Sequence, residues 1–522
     1  MRIMERKGKP EIRIRVRLSA LVNFVVSIYR LIVSIAFTLI VIRRLDPSAY
    51  GLYAVLLSTA NAVNTLGGTW IYWASRRHAL GFPEALRASI IINTSYLAIS
   101  IPLFIISITP ITSPSIEPLS PVMLVILFYL APTPLSIVLS LVNLYAPEKA
   151  GYLGLLFETV RVVLAYIFVI NLGMGIAGAI MGPGIANLVL IAASFYLLVR
   201  IGVIDPKSSE EVRGTKNIYR EVINILRLST LSIPSLVAST LVNLDKLIMG
   251  FIALSTIPAA YASVSSIPKS IIAPGAFTSG LYAKILREPR AEDVTDILLL
   301  YSLASIYITI TIASLSTPVI TFFNPAYADG RILIVLASLE ALILGYASIF
   351  ETVAIAFARS DIYSKRFSEI VRSPLGRIPL AQMIRVIVCI SLASIAQLAI
   401  YQIGVRDPVL LVLPYSILYL ASSIPYTYYV YRLSTKAMGF RIPWRDVAIF
   451  SVSSISVILI SIVTGIDNIV INSFWRDLAR IAPGVTISLA IYLVIGLALS
   501  NRIRALIAIG IRFIARGSKN KS

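Results

Sequence analysis

Charge is scarce in this sequence. Of 522 residues only 14% are Asp, Glu, Lys or Arg, against about a quarter in a soluble globular chain. Hydrophobic residues make up 57%, and the mean hydropathy is +0.87. An ordinary soluble protein is excluded. There is one cysteine, Cys389, which excludes an internal disulfide, and one histidine, His78, which leaves no His/Cys metal site. A Walker A loop is absent, so any ATP dependence would need a separate subunit. The chain carries no D-x-D element and no nucleophile with a base in reach. It reads as a non-enzyme without a cofactor.

What is present is a series of apolar blocks, each 20 to 27 residues long and able to cross about 30 Å of hydrocarbon as a helix. Transmembrane barrels are excluded, because their strands are shorter and alternate in polarity. The fold class expected is an all-α polytopic membrane protein. Hydropathy places fourteen spans near 19–42, 50–73, 86–109, 121–144, 153–172, 175–199, 228–253, 257–283, 296–318, 331–355, 379–402, 407–430, 446–466 and 478–500. The first run is too long for a signal-peptide core, and no cleavage-type site follows it.

An even number of spans puts both termini on one side. Of the 46 Lys and Arg, 35 fall in the segments on that side, four in the opposite loops and seven inside helices. By the positive-inside rule both ends are cytoplasmic, in a cell (plasma) membrane. The net charge of +21 is then topology plus attraction to anionic lipid headgroups, rather than a nucleic-acid surface. The basic stretches Ile12–Arg17 and Arg502–Arg516 read as interfacial anchors. Loops of at most 20 to 30 residues leave no room for a catalytic domain.

An internal repeat organises the spans. Pro47-Ser48-Ala49-Tyr50-Gly51 follows span 1 and Pro258-Ala259-Ala260-Tyr261-Ala262 follows span 7, 211 residues later. Two six-helix bundles, 19–199 and 228–430, are therefore expected as parallel pseudo-repeats, with a binding site between the halves. A basic N-terminus (1–18), a cytoplasmic linker (200–227), a C-terminal helix pair (446–500) and a basic amphipathic tail (501–522) complete the chain. Helix breakers are frequent: Pro132 and Pro134, Gly182-Pro183-Gly184, Pro234, Pro268, Pro274, Pro414 and Pro425 all fall within spans, where each proline removes a backbone donor.

Ionisable groups at depth cost about 2.5–3.5 kcal/mol each, even on the lenient insertion scale. Arg30 and Lys269 lie near the middle of spans 1 and 8, with no acid within four residues. They read as lone cations lining a hydrated cationic cavity, unless Asp245 or Glu340 partners them across helices. Glu158 and Arg161 are spaced i,i+3 and can pair. Asp245-Lys246 lie in the outer half of span 7. Glu340 and Glu351, 11 residues apart, look the same way from span 10. Arg331, Arg385 and Arg480 read as snorkelling from helix ends, and Glu351 lies near the inner face. A cationic cavity selects an anion such as a phosphate or pyrophosphate headgroup. Asp245 suits either a coupling cation or substrate release by re-pairing.

Arg43-Arg44-Leu45-Asp46-Pro47-Ser48-Ala49-Tyr50-Gly51-Leu52-Tyr53, within Leu31–Ser58, resembles the helix 1–helix 2 signature of polysaccharide biosynthesis flippases. These form the Wzx-like branch of the multidrug/oligosaccharidyl-lipid/polysaccharide (MOP) exporter superfamily. Leu244-Asp245-Lys246-Leu247-Ile248-Met249-Gly250, with Pro258–Ala262, is similar to its helix 7–8 region, and Phe323–Ala328 to its outer turn before helix 10. In the second element alanine and Pro258 replace the family's glycine. The resemblance implies a V-shaped pair of six-helix bundles with two extra C-terminal helices. It also implies flipping of a lipid-linked oligosaccharide on a polyprenyl carrier to the outer leaflet by alternating access. Substrate-binding roles then fall to Arg30, Lys269, Arg161 and Lys246, and coupling or gating roles to Asp245, Glu340, Asp46 and Glu158. Membrane lipids and a coupling cation are the further partners, and a monomer is expected. The alternative is a cation-coupled multidrug or small-solute exporter, which the lack of an acid in span 1 weakens.

Overall fold

The computed structural model describes residues 16–79, 82–110, 119–203, 215–272, 281, 285, 289–358 and 367–504. Among them there is no strand. In hydrocarbon only a helix or a closed barrel satisfies every backbone group. The N-terminal elements are α1 (Val16–Arg44), α2 (Pro47–Ala79), α3 (Glu84–Ile108), α4 (Leu119–Val125), α5 (Ile137–Tyr145), α6 (Pro147–Ala165), α7 (Gly175–Arg200) and α8 (Thr215–Ser229). Next come α9 (Ile233–Ala253), α10 (Ile257–Ser265), α11 (Ile267–Ile272), α12 (Ala291–Ser314), α13 (Ser316–Phe323) and α14 (Arg331–Phe357). The series ends with α15 (Phe367–Arg372), α16 (Pro374–Gln402), α17 (Pro408–Met438), α18 (Trp444–Ser453), α19 (Ile455–Thr464) and α20 (Phe474–Leu499).

Eleven helices among the described residues are long and apolar enough to cross a membrane, and each falls on an expected span. The other three expected spans correspond to α1, to α2 and to 257–283, which is helical over 257–272 and outside the described residues for most of the remainder. The basic N-terminus and tail also lie outside, apart from 16–18 and 501–504.

The prolines act unequally. Pro132 and Pro134 cannot return hydrogen bonds to the carbonyls of Phe128 and Leu130. The chain there widens into a π-turn closed by Ala131 N–H to Ile126 O (2.8 Å), then tightens through a 3₁₀ turn at Thr133–Ser136. Pro234 and Pro268 mark breaks within their spans: the helix is interrupted by a 3₁₀ turn at Thr230–Ser232 and by a turn at Ser266, and each proline stands second in the helix that resumes. Pro183, Pro414 and Pro425 sit inside continuous helices, and Pro274 lies outside the described residues.

The chain divides into two compact units. Unit 1 holds the described residues up to Arg44 and Thr59–Leu236; unit 2 holds Leu45–Ser58 and the described residues from Val237 onward. In unit 1, α6 packs on α1 and α7, and Ile71, Ala74, Ile92, Ile137, Leu141 and Leu198 form a core. In unit 2, α14 and α17 pack along each other beside α12 and α16, around Tyr301, Phe350, Val353 and Val430. The C-terminal helices close on α12 through Phe450 and Tyr492, whose hydroxyl donates to Leu303 O at 2.7 Å.

Both copies of the repeated turn lie side by side in unit 2. Gly51 is so close to the Thr256 carbonyl that an added Cβ would collide with it, and Thr256 Oγ1 donates to Ser48 O at 2.9 Å. Tyr50 and Tyr261 both set their rings edge-on to Tyr327, at 6.5 and 5.0 Å.

α8 is amphipathic and lies against α3 in unit 1. It buries Ile225 and Glu221 and exposes Tyr219, Ile223 and Leu226 beside Arg220 and Arg227, a surface suited to the membrane–water interface. Glu221 is gripped by both arms of Arg77 near the end of α2: Nη2 reaches Oε1 at 2.7 Å and Nε pairs with Oε2. The Arg77 hydrogen bond holds the Glu221 carboxyl below the usual carboxylate range, outweighing the opposing effect of burial. This contribution is fully present above the unfolded glutamate pKa of about 4.3 and is lost as pH falls through the lowered folded value. Glu221→Gln should weaken α8 docking by about 1.5–3 kcal/mol. Amide hydrogen exchange over 215–229 reads it directly: relative to the intrinsic exchange rate at each pH, protection should be lower in the variant at neutral pH and should fall in the wild type at acid pH.

Candidate functional site

Each unit carries its own group of ions at depth. In unit 1 they come from α1 and α6. Arg30 lies across Gly154 so closely that any Cβ at that position would strike the guanidinium, so the glycine makes the groove in which the arginine lies. Its neighbour Tyr29 shares a hydrogen bond with Thr159 Oγ1 at 2.7 Å. Glu158 and Arg161 form the expected ion pair at 2.7 Å, both largely buried. Arg161 Nη2 also donates to Ser34 Oγ at 2.9 Å, and its guanidinium stands 4.8 Å from the Phe37 ring. Arg30 is exposed and within electrostatic reach of the same Glu158. Two guanidinium groups therefore share one carboxylate, leaving the cluster one positive charge in excess.

In unit 2 the ions form two layers. In the first, Lys269 follows the second of the two alternatives left open for it: its ammonium pairs across helices with Glu340 of α14 at 2.7 Å. The two partners differ in access. The Lys269 side chain is 38% exposed and that of Glu340 4%, so the cation is presented and the acid is hidden. Lys269 also stands 5.2 Å from the Tyr419 ring. Asp245 is buried within electrostatic reach of Tyr415 and Tyr419 of α17. Lys246 folds back to it at 3.1 Å, which adjacent helical residues manage only through a long side chain.

The second layer was not legible in the sequence. Tyr426 of α17 donates to Glu351 Oε1 at 2.7 Å, and Arg385 of α16 stands 5.1 Å from the Tyr426 ring. Arg385 does not snorkel from a helix end. α16 begins at Pro374, so Arg385 sits about 16 Å along its axis, and its Nε and Nη1 are closed off from solvent. Asp46 joins none of these groups. It is exposed in the turn before α2, where its carbonyl accepts from Tyr50 N–H at 2.9 Å. A signal for the second layer did exist. Glu340 and Glu351 are three turns apart on α14, and Tyr419 and Tyr426 two turns apart on α17, so each helix repeats a polar group on one face.

No family model and no curated protein matches the sequence. Solved structures do. The chain is similar over 93% of its length to the whole of the "Lipid II flippase MurJ, inward closed conformation", with a TM-score of 0.57 and 13% identity. It is also similar to an outward-facing multidrug resistance MATE family transporter of the MOP superfamily, over 83% of this chain and 99% of that one, with a TM-score of 0.50 and 14% identity. At these identities the likeness is one of fold. The chain is a multi-pass membrane protein with the fold of MOP-superfamily transporters.

The Lys269–Glu340 pair gives a direct test of the first layer. Lys269→Gln strands a buried carboxylate and should cost about 1–3 kcal/mol, less than a fully buried pair because the lysine keeps part of its hydration. Adding Glu340→Gln should recover most of the loss. Thermal unfolding of the two single variants and the double variant closes the cycle, and strictly additive effects would refute the pairing.

Proposed function

We propose that the protein is a flippase that moves a polyprenyl phosphate- or pyrophosphate-linked oligosaccharide from the cytoplasmic to the outer leaflet by alternating access. The product would serve cell-surface polysaccharide or glycoprotein synthesis. The carrying observation is that each unit offers a cation at depth in accessible form: Arg30 beside the Glu158–Arg161 pair, and Lys269 with its acid hidden. Lys and Arg supply the point charge and the forked donors that phosphate oxygens accept. The polyprenyl chain stays in lipid while the polar head crosses. The sequence signatures around Asp46–Tyr53 and Asp245–Gly250 support a Wzx-like specificity, and the fold similarity to a lipid II flippase agrees with a lipid-carried substrate.

Within this reading, Arg30, Arg161 and Lys269 bind the phosphate-containing headgroup, with Lys246 in support. Glu340 releases Lys269 to the substrate and recaptures it afterwards, which returns the carrier to its resting charge pairing. Asp245, Glu158 and Asp46 act in coupling or gating. The second reading is a cation-coupled exporter of drugs or small solutes. The buried carboxylates Asp245 and Glu340 are the observation that favours it.

Ligand-dependent thermal stability separates the two. A polyprenyl phosphate or pyrophosphate glycan at 100 times its dissociation constant should add about 2.7 kcal/mol. The gain should shrink in Arg30→Gln and Lys269→Gln. Stabilisation by cationic drugs alone would favour the exporter. Both termini are placed in the cytoplasm by the charge bias, so a cysteine at exposed Asn472 should be labelled only from outside, and one at Arg441 only from inside. The reverse pattern would invert the topology.

A further inference from the structure

The C-terminal helix pair carries a cavity that the proposed function does not use. It holds about 530 Å³ and lies in unit 2, where α12 and α18 begin and α20 ends. It therefore stands at one surface of the membrane rather than at depth. Three arginines line it. Arg441 and Arg445 come from the turn before α18 and its first residues, and Arg502 from the residues that follow α20. All three are exposed, and none forms an ion pair within 4.0 Å among the described residues. The one carboxylate in the lining belongs to Asp446, which is buried and accepts from Ser500 Oγ at 2.6 Å. Three arginines against one carboxylate leave two positive charges in excess.

An exposed arginine is ordinarily a solvated one. These converge instead on a concave surface whose lining is partly apolar. Trp444 is 67% exposed and Leu499 52%, each at the end of a helix long and apolar enough to span the membrane. Tryptophan is characteristic of the membrane–water boundary, where its ring sits at headgroup level. A free anion would engage the arginines and leave Trp444 and Leu499 without a role. A phospholipid engages both, with phosphate oxygens on the guanidinium donors and the upper acyl chain against the apolar side. The charge bias places this face in the cytoplasm, where the leaflet is anionic and basic pockets between helix ends hold phosphate-bearing headgroups.

We propose that this cavity binds an anionic phospholipid of the surrounding leaflet, held as a resident lipid rather than as cargo. Its headgroup would join the start of α18 to the end of α20, adding to the Ser500–Asp446 bond that already links them. The site is separate from the ions at depth and does not depend on what the protein transports.

The test titrates the full-length protein in detergent with phosphatidylglycerol carrying brominated acyl chains, and separately with phosphatidylcholine carrying the same chains. Bromine quenches tryptophan at contact, and the quenching lost in Trp444→Phe isolates this site among the four tryptophans. In the wild type, phosphatidylglycerol should quench Trp444 at lower concentration than phosphatidylcholine. Arg441→Gln, Arg445→Gln and Arg502→Gln should each weaken phosphatidylglycerol about fivefold, equivalent to about 1 kcal/mol per basic residue. Asp446→Asn keeps an acceptor for Ser500 while removing the negative charge, so it should tighten binding, and it decides the matter if an arginine variant fails to fold. Arg200→Gln, at the exposed end of α7, should change nothing. Equal quenching by the two lipids, or a loss in Arg200→Gln matching the cavity variants, would reduce the site to general surface charge and overturn the proposal. Displacement by sn-glycerol 3-phosphate at the lipid's own concentration would make the ligand a soluble anion and overturn it likewise. No arm requires a transported substrate, so the outcome is independent of the flippase reading.

Discussion

An uncompensated charge in hydrocarbon is the constraint to which the rest of this structure answers. Each ionisable group at depth needs a partner, a route to water or a ligand, since the alternative costs several kcal/mol. Glu158 and Arg161 neutralise each other, Lys269 keeps one side open while its acid is buried, and Arg385 is braced on a ring with its donors unspent. α14 and α17 run together in unit 2 over an apolar core, and their packing also brings the Tyr426 hydroxyl onto Glu351.

The two units solve the problem with different net charge. The cluster on α1 and α6 carries an excess cation, whereas the layers on α9, α11, α14 and α16 balance three acids against three bases. An excess charge binds an anion at the cost of holding it, and a balanced set exchanges partners with little change in total energy. A transporter needs both properties, because a site that only attracts its substrate never releases it. The proposed cycle in which Glu340 gives up and regains Lys269 uses the balanced unit for release.

The helical architecture was legible in the sequence because a membrane span is written in one dimension: a run of apolar residues of sufficient length. The Glu158–Arg161 pair was legible for the same reason, being a matter of i,i+3 spacing. Spacing alone left Lys269 open between solitude and a cross-helix partner, because Glu340 lies 71 residues away on another helix. Arg385 was read as snorkelling, yet its Nε and Nη1 are closed off beside Tyr426, a contact between helices that hydropathy does not report. Pro234 and Pro268 were legible as breaks because a missing backbone donor is a local property: each span is interrupted just before its proline, which then opens the next helical segment.

The two similar turns form a single mechanical joint. Here Tyr50 and Tyr261 bear on the same ring of Tyr327, and Gly51 lies against the backbone of Thr256 at the threshold of the other copy. Neither copy can change shape without being felt by its twin. A distortion at positions 47–51 is thus passed directly to positions 258–262, and the two turns bear load as a pair.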